Sequence, residues 1–134
     1  MPAPDPSIVD ASYKRGLELA RSGAFFEAHE AFEDAWRRCA EAERDFFQGL
    51  VHVVVSAYQA TRGRPVAQER QREKALRRLA AYAPAHRDLD VTVLLAALER
   101  AEADPREHLV ERHPEPPVAV EEEEQAERDQ RDAG

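Results

Sequence analysis

One histidine and two glutamates lie within a single helical turn, in the stretch of this chain that is densest in ionisable groups. His29, Glu30 and Glu33 follow the pattern His-Glu-x-x-Glu. Residues four apart share a helix face, so the side chains of His29 and Glu33 should be neighbours. An imidazole and a carboxylate at this spacing can bind one divalent metal ion, hold a small ligand, exchange a proton or hydrogen-bond to each other.

Residues on a second predicted helix could extend this candidate polar site. Gln48 and His52 lie one turn apart on a later predicted helix. If that pair faces His29 and Glu33, a polar pocket forms between the two helices. Three interpretations remain open: a structural contact that holds the helices in register, a metal or small-ligand site, and acid–base catalysis. The candidate site residues are Glu27, His29, Glu30, Glu33, Trp36, Gln48 and His52, with His29, Glu30 and Glu33 as the metal-binding candidates.

The sequence does not match the better-defined catalytic motifs. A zinc protease needs histidine at both ends of its helical motif, and Glu33 occupies the second position here. Di-iron bundles need Glu-x-x-His on two helices, which this chain lacks. The chain has no Gly-x-Ser-x-Gly elbow, and its five glycines form no phosphate-binding loop. We therefore expect no cofactor, with a divalent metal as the alternative.

Hydrophobic periodicity predicts five helices and indicates where each begins and ends. The third helix is apolar nearly all round, which is typical of a helix at the centre of its domain. Asp104-Pro105 resembles a helix start and predicts a short sixth helix that ends near Arg112. The five main predictions are a helix capped by Ser7 and ending at Ser22-Gly23, then 24–40, 43–62, 65–82, and one capped by Asp88 or Asp90 that includes Leu98.

These elements predict a single all-α domain over residues 7–112. Helices end at Gly23 and Gly63 in similar settings, which favours a compact bundle of five to six helices arranged as stacked antiparallel hairpins. Residues 1–6 are expected to be a disordered N-terminus. Residues 113–134 contain eight acidic and two basic residues and few aliphatic ones, so we expect a disordered acidic tail.

Charge and cysteine content limit the classes of partner. The basic stretch from Arg62 to Arg78 has no interleaved aromatic residues, so a solvated helix surface is favoured over nucleic-acid binding or docking of the acidic tail. Cys39 lies on an apolar helix face, as a buried thiol would. No apolar run has membrane-spanning length, and the N-terminus lacks the features of a signal peptide. We expect a cytoplasmic protein that does not associate with membranes.

Two segments of the chain resemble a known family. The run from Gly23 through Trp36, with its Phe-Phe-Glu-Ala-His-Glu core, is followed by Glu-Arg-Asp-Phe-Phe-Gln-Gly-Leu over residues 43–50. This pairing resembles the bacterial and archaeal family called domain of unknown function 309, over roughly residues 12–100. The resemblance implies a small all-helical fold and assigns no activity.

We therefore expect a non-enzymatic helical interaction module, with a protein partner or a second copy of the chain as its target. The hairpin arrangement and the apolar third helix favour this class. The alternative is a metal- or small-molecule-binding protein, such as a hydrolase, that uses His29, Glu30 and Glu33 with Gln48 and His52.

Overall fold

The computed structural model describes residues 3–112, and the predicted acidic tail lies outside them. The prediction of an all-α fold is confirmed. The helices are α1 (Pro6–Arg21), α2 (Phe25–Arg38), α3 (Arg44–Thr61), α4 (Pro65–Leu79) and α5 (Val91–Glu99), and a small antiparallel pair, β1 (Ala85–His86) and β2 (Leu89–Asp90), precedes α5. Among these described helices, none combines the length and apolarity that crossing a bilayer requires.

Helix α1 begins earlier than the sequence predicted. Asp5, and not Ser7, is its N-cap: the Asp5 side chain accepts a hydrogen bond from the backbone N–H of Ile8, and Pro6 takes the first helical position. The Asp5 N–H also donates to the carbonyl of Arg38, at the end of α2. Asp5 and Pro6 therefore belong to the folded domain, although the sequence predicts a disordered N-terminus over residues 1–6.

Consecutive helices form the predicted antiparallel hairpins. Gly23 and Gly63 adopt φ values of +86° and +67° at the turns after α1 and α3. Residues with a Cβ avoid this left-handed region, which is why glycine ends these helices. Helix α3 packs against both α2 and α4, and α1 packs against α2.

Helix α3 supplies the centre of the core, as its apolar sequence predicted. Its fully buried large side chains are Phe46, Phe47, Leu50, Val53 and Val54. Two glycines allow neighbouring helices to approach closely. A Cβ on Gly16 would lie 2.5 Å from the Phe32 ring, and one on Gly49 would lie 2.6 Å from Leu79. These contacts fix how α1 meets α2 and how α3 meets α4, and so they position the outer surface of α3.

The predicted sixth helix is wrong. Asp104 caps a single turn, in which the N–H groups of His108 and Leu109 both donate to the carbonyl of Pro105. The chain then becomes extended, and Glu111 pairs with Leu89 beside β2. Leu109 is buried in the core, which accounts for the return of this segment to the domain.

Candidate functional site

One stripe of α3 faces away from the core and lies between α2 and α4. Its members recur at spacings of three and four residues, which places them on one helix face: Gln48, His52, Val55 and Gln59. Val55 and Gln59 line a cavity shared with α2, and His52 hydrogen-bonds to α4. The polar residues that the sequence singled out on α3 therefore lie on this outer stripe, and they are not part of the core.

His29 and Glu33 form the contact that their spacing predicts. The His29 Nε2 and Glu33 Oε1 atoms are 2.9 Å apart, and both side chains are partly exposed. The second carboxylate oxygen of Glu33 accepts from Arg37 at 3.3 Å. Each carboxylate oxygen thus has a partner on α2 itself, so the pair forms part of a row of side chains along this helix.

We expect the His29–Glu33 contact to stabilise the fold modestly. His29→Ala and Glu33→Ala should each lower the free energy of unfolding, and the double variant should lose less than the sum of the two. The coupling should be about 0.2–0.5 kcal/mol, as for other side-chain pairs four residues apart on exposed helices. Urea unfolding of the four proteins measures it.

Glu30 is the matched control for this cycle, because its side chain is exposed on the same helix. Glu30→Ala should stay within about 0.5 kcal/mol of wild type, as most surface changes do. Strictly additive losses for His29→Ala and Glu33→Ala would contradict a structural pair. Unchanged or increased stability in both variants would instead favour a ligand site, where groups are held at a cost in stability.

His52 is directed to α4 and does not join His29. Its Nδ1 lies 2.7 Å from Gln71 Oε1, so Nδ1–H donates and Nε2 carries the lone pair. Nε2 is buried and has no hydrogen-bond partner among the described residues. Burial lowers the pKa of His52 below its usual range, against the hydrogen bond to Gln71, which raises it. His52 is therefore a neutral residue of the α3–α4 contact.

The remaining candidate residues lie around this surface without converging on it. Glu27 and Glu30 are exposed, and Gln48 is half-buried. Trp36 is also half-buried, with the guanidinium carbon of Arg44 4.5 Å from its ring centroid. Within residues 3–112, no group of three or more His, Cys, Asp or Glu side chains is placed to hold a metal ion. The described geometry therefore gives the predicted His29, Glu30 and Glu33 metal set no support.

A cavity of about 190 Å³ lies where α2 meets the stripe of α3. Phe26 stands at its mouth and is 51% exposed, an unusual position for a large apolar ring. The rings of His29 and Tyr58 each have their centroid 5.9 Å from that of Phe26. We call this the Phe26 cavity; its lining residues are Phe25, Phe26, His29, Val55, Tyr58 and Gln59.

Two side chains of the Phe26 cavity have notable polar surroundings. Arg62 donates to the Tyr58 hydroxyl at 3.1 Å and lies 5.7 Å from the Tyr58 ring centroid, so it holds this ring in place. Gln59 Oε1 is buried and has no hydrogen-bond partner in the described part of the chain. A buried carbonyl oxygen without a donor is costly, and most native proteins have few of them.

The structure also contains an ionisable cluster that the sequence does not reveal. The Glu43 carboxylate accepts from His86 Nε2 and Arg87 Nη2, both at 2.8 Å. The hydrogen bond from Arg87 holds the pKa of Glu43 below its usual range, against the effect of burial. These contacts join the turn before α3 to the loop before α5. Because 43 residues separate Glu43 from His86, no local spacing rule could have paired them.

A larger cavity, of about 320 Å³, lies between α1 and the C-terminal segment. Its cations already have partners: Lys14 pairs with Asp10, Arg21 donates to the Leu109 carbonyl, and Arg87 pairs with Glu43. A charged ligand would have to compete with these contacts. Of these two cavities, the Phe26 cavity is therefore the better candidate for binding.

The fold and the surface around α3 define a small all-helical protein of stacked hairpins that has an apolar, aromatic-lined cavity. Residues 13–77 match the model of the family described as Domain of unknown function (DUF309), and this segment of the chain belongs to that family. The match includes α2, α3 and the whole Phe26 cavity. No curated protein and no solved structure is significantly similar to the chain.

Proposed function

We propose that this protein is a non-enzymatic helical interaction module that binds a segment of another protein in the Phe26 cavity. The observation that carries the proposal is a half-exposed phenylalanine at the mouth of an aromatic-lined cavity. Exposed aromatic residues at the rim of an apolar pocket are typical of protein interaction sites.

The size of the cavity supports a side chain as the occupant. Pockets for drug-sized ligands and cofactors measure about 300–1,000 Å³. The Phe26 cavity measures about 190 Å³, which suits one anchoring side chain of a partner. Two ionisable residues line the cavity: His29 is paired with Glu33, and the Tyr58 hydroxyl accepts a hydrogen bond from Arg62. The cavity wall therefore offers a binding surface in preference to a reactive group.

The buried free thiol of Cys39 suits a reducing compartment, and we propose the cytoplasm as the place where this module acts. Its Sγ lies 3.3 Å from the carbonyl oxygen of Trp36, at the end of α2. Burial raises the pKa of the Cys39 thiol, which disfavours the reactive thiolate. We therefore assign Cys39 a packing role.

Photo-crosslinking tests this proposal. Benzoylphenylalanine placed at position 26 in cells should give one discrete adduct with a protein of different mass, and the crosslinked peptide identifies the bound segment. A synthetic peptide of that segment should bind the wild-type protein, and at least about tenfold more weakly after Phe26→Ala, since anchors of this kind contribute more than 1 kcal/mol.

Val66 provides the matched control position, because it is an exposed apolar residue on α4, outside the cavity. The same crosslinker at position 66 should give no discrete adduct. An adduct of twice the mass of the chain would mean that the cavity mediates self-association. Equal labelling at both positions, or a peptide that binds the Phe26→Ala variant unchanged, would refute the proposed site.

A further inference from the structure

We infer that the Phe26 cavity receives the indole ring of a tryptophan from a different protein, with the indole N–H donating to Gln59 Oε1. This inference rests on the proposed function and specifies the chemistry of the anchor. It starts from the amide of Gln59, which lines the cavity and whose oxygen has no donor among the described residues. The last torsion of a glutamine is soft, so this oxygen can turn towards a donor that enters.

The walls of the cavity favour an aromatic guest. The tilted rings of Phe26, His29 and Tyr58 leave faces and edges for offset or edge-to-face contacts with a further ring. The guanidinium of Arg62 against Tyr58 disfavours a cationic guest, because the second positive charge would be repelled. The anchor is therefore a neutral ring that carries a hydrogen-bond donor.

The single unpaired acceptor favours indole over phenol. An indole N–H is a donor only, so Gln59 Oε1 satisfies it completely. A phenol hydroxyl is also an acceptor and would need a donor of its own in an apolar cavity. Tryptophan is also among the residue types that most often dominate the binding energy of an interface.

A second copy of this chain cannot readily supply the ring. The sequence contains one tryptophan and three tyrosines. Tyr13 and Tyr82 already donate to the carbonyls of Arg87 and Ala42. Tyr58 forms part of the cavity itself, and Trp36 is half-buried beneath Arg44. The tryptophan must therefore come from a different protein.

Two small probes test the inference on the full chain: indole, and 1-methylindole, which has the same ring system without the N–H. Titration is followed by ¹H–¹⁵N correlation spectra of labelled protein. Indole should shift the amide signals of residues 25–29 and 55–59 with a millimolar dissociation constant. 1-Methylindole should bind about tenfold more weakly, because it leaves the Gln59 oxygen unpaired, a difference that corresponds to about 1.4 kcal/mol.

Variants test whether Gln59 causes the difference in affinity between indole and 1-methylindole. Gln59→Leu should bind the two probes equally, since the acceptor is gone. Gln48→Leu is the matched control: Gln48 is half-buried on the same stripe of α3 and does not line the cavity, so this variant should still discriminate. Phe26→Ala alters an exposed ring and should weaken both probes without unfolding the protein, which the dispersion of the same spectra reports.

The outcomes separate this inference from the proposed function. Equal binding of indole and 1-methylindole to the wild-type protein would overturn the indole assignment, and so would shifts centred away from residues 25–29 and 55–59. If that result came with a discrete adduct at position 26, the proposed interaction module would be supported and only the indole assignment would be contradicted. Discrimination by the probes without any adduct would support the site chemistry and contradict a protein partner.

Discussion

Replacing Leu50 with alanine should lower the free energy of unfolding by about 2–5 kcal/mol, the range for leucine truncation in a well-packed core. Leu50 is completely buried at the middle of α3, the helix that packs against both α2 and α4. The substitution leaves a cavity, which the neighbouring helices can fill only by giving up contacts of their own. Urea denaturation monitored by circular dichroism measures the loss.

Two comparison variants locate the centre of the core. Val54→Ala changes another completely buried residue of α3, and Leu98→Ala changes a buried residue near the end of α5. Helix α5 packs less extensively on the bundle than α3 does, so its neighbourhood can relax more readily. Both α3 variants should lose more stability than Leu98→Ala. The reverse order would show that α3 is not the centre of the core.

The helix count followed from the sequence because apolar periodicity and end signals agreed for each long helix. The positions where helices begin and end show how much a local sequence signal can predict. Asp-Pro occurs at Asp5-Pro6 and at Asp104-Pro105, and in both places the aspartate caps a turn. After Pro6 an apolar face continues for four turns, so a helix of 16 residues forms. Within residues 106–112, where the described part of the chain ends, only Leu109 is buried, so the turn does not propagate.

The parts of the candidate site that lie on one helix could be predicted, and those that depend on two helices could not. The His29–Glu33 contact follows from spacing alone. The expected pocket with Gln48 and His52 depended on how α2 and α3 are aligned. In the structure, α2 meets the same stripe nearer the C-terminal end of α3, at Val55 and Gln59. Because α3 is apolar on most of its surface and half-polar along this stripe, its sequence gives little indication of which part of the stripe contacts α2.

The long-range pairing of charged residues could not be predicted from the sequence for a similar reason. Glu43 lies in the segment that resembles the family, where it was interpreted only as the start of a helix. Its partners, His86 and Arg87, lie in the loop before α5 and reach it only after α4 has packed on α3. The sole sequence signal was an acidic residue three positions before Phe46, where the apolar run begins.

Replacing Glu43 with glutamine should lower the free energy of unfolding at pH 7 by about 1–3 kcal/mol, because the variant removes the charged group to which Arg87 donates its hydrogen bonds. The Asp10 carboxylate, 3.9 Å from Arg87, is too far away to replace those hydrogen bonds. The side chains of Glu43 and Arg87 are only 19% and 24% exposed, so water compensates incompletely. Arg87 also lies against the rings of Tyr13 and Phe47, at 5.7 and 5.4 Å, which limits its freedom to find another acceptor.

The loss should depend on pH in a direction set by the pKa of Glu43. Its hydrogen bond from Arg87 holds that pKa below the usual value. The stabilisation is therefore complete above the unfolded-state pKa of about 4.3 and disappears as the pH falls through the lower pKa of the folded state. Wild type and Glu43→Gln should converge in stability as the pH falls below about 4.3, in urea unfolding series from pH 7 to pH 3.5.

Glu41 is the control for this charge effect, since it precedes the same helix, its side chain is 87% exposed, and its contact with Arg44 is 3.8 Å long. Glu41→Gln should change the free energy of unfolding by less than about 0.5 kcal/mol at every pH. A loss in Glu43→Gln that stays constant from pH 7 to pH 3.5 would show that Glu43 acts through packing or neutral hydrogen bonds. A loss that shrinks with acid, and only in the Glu43 variant, would establish that its charge holds the loop before α5 against α3.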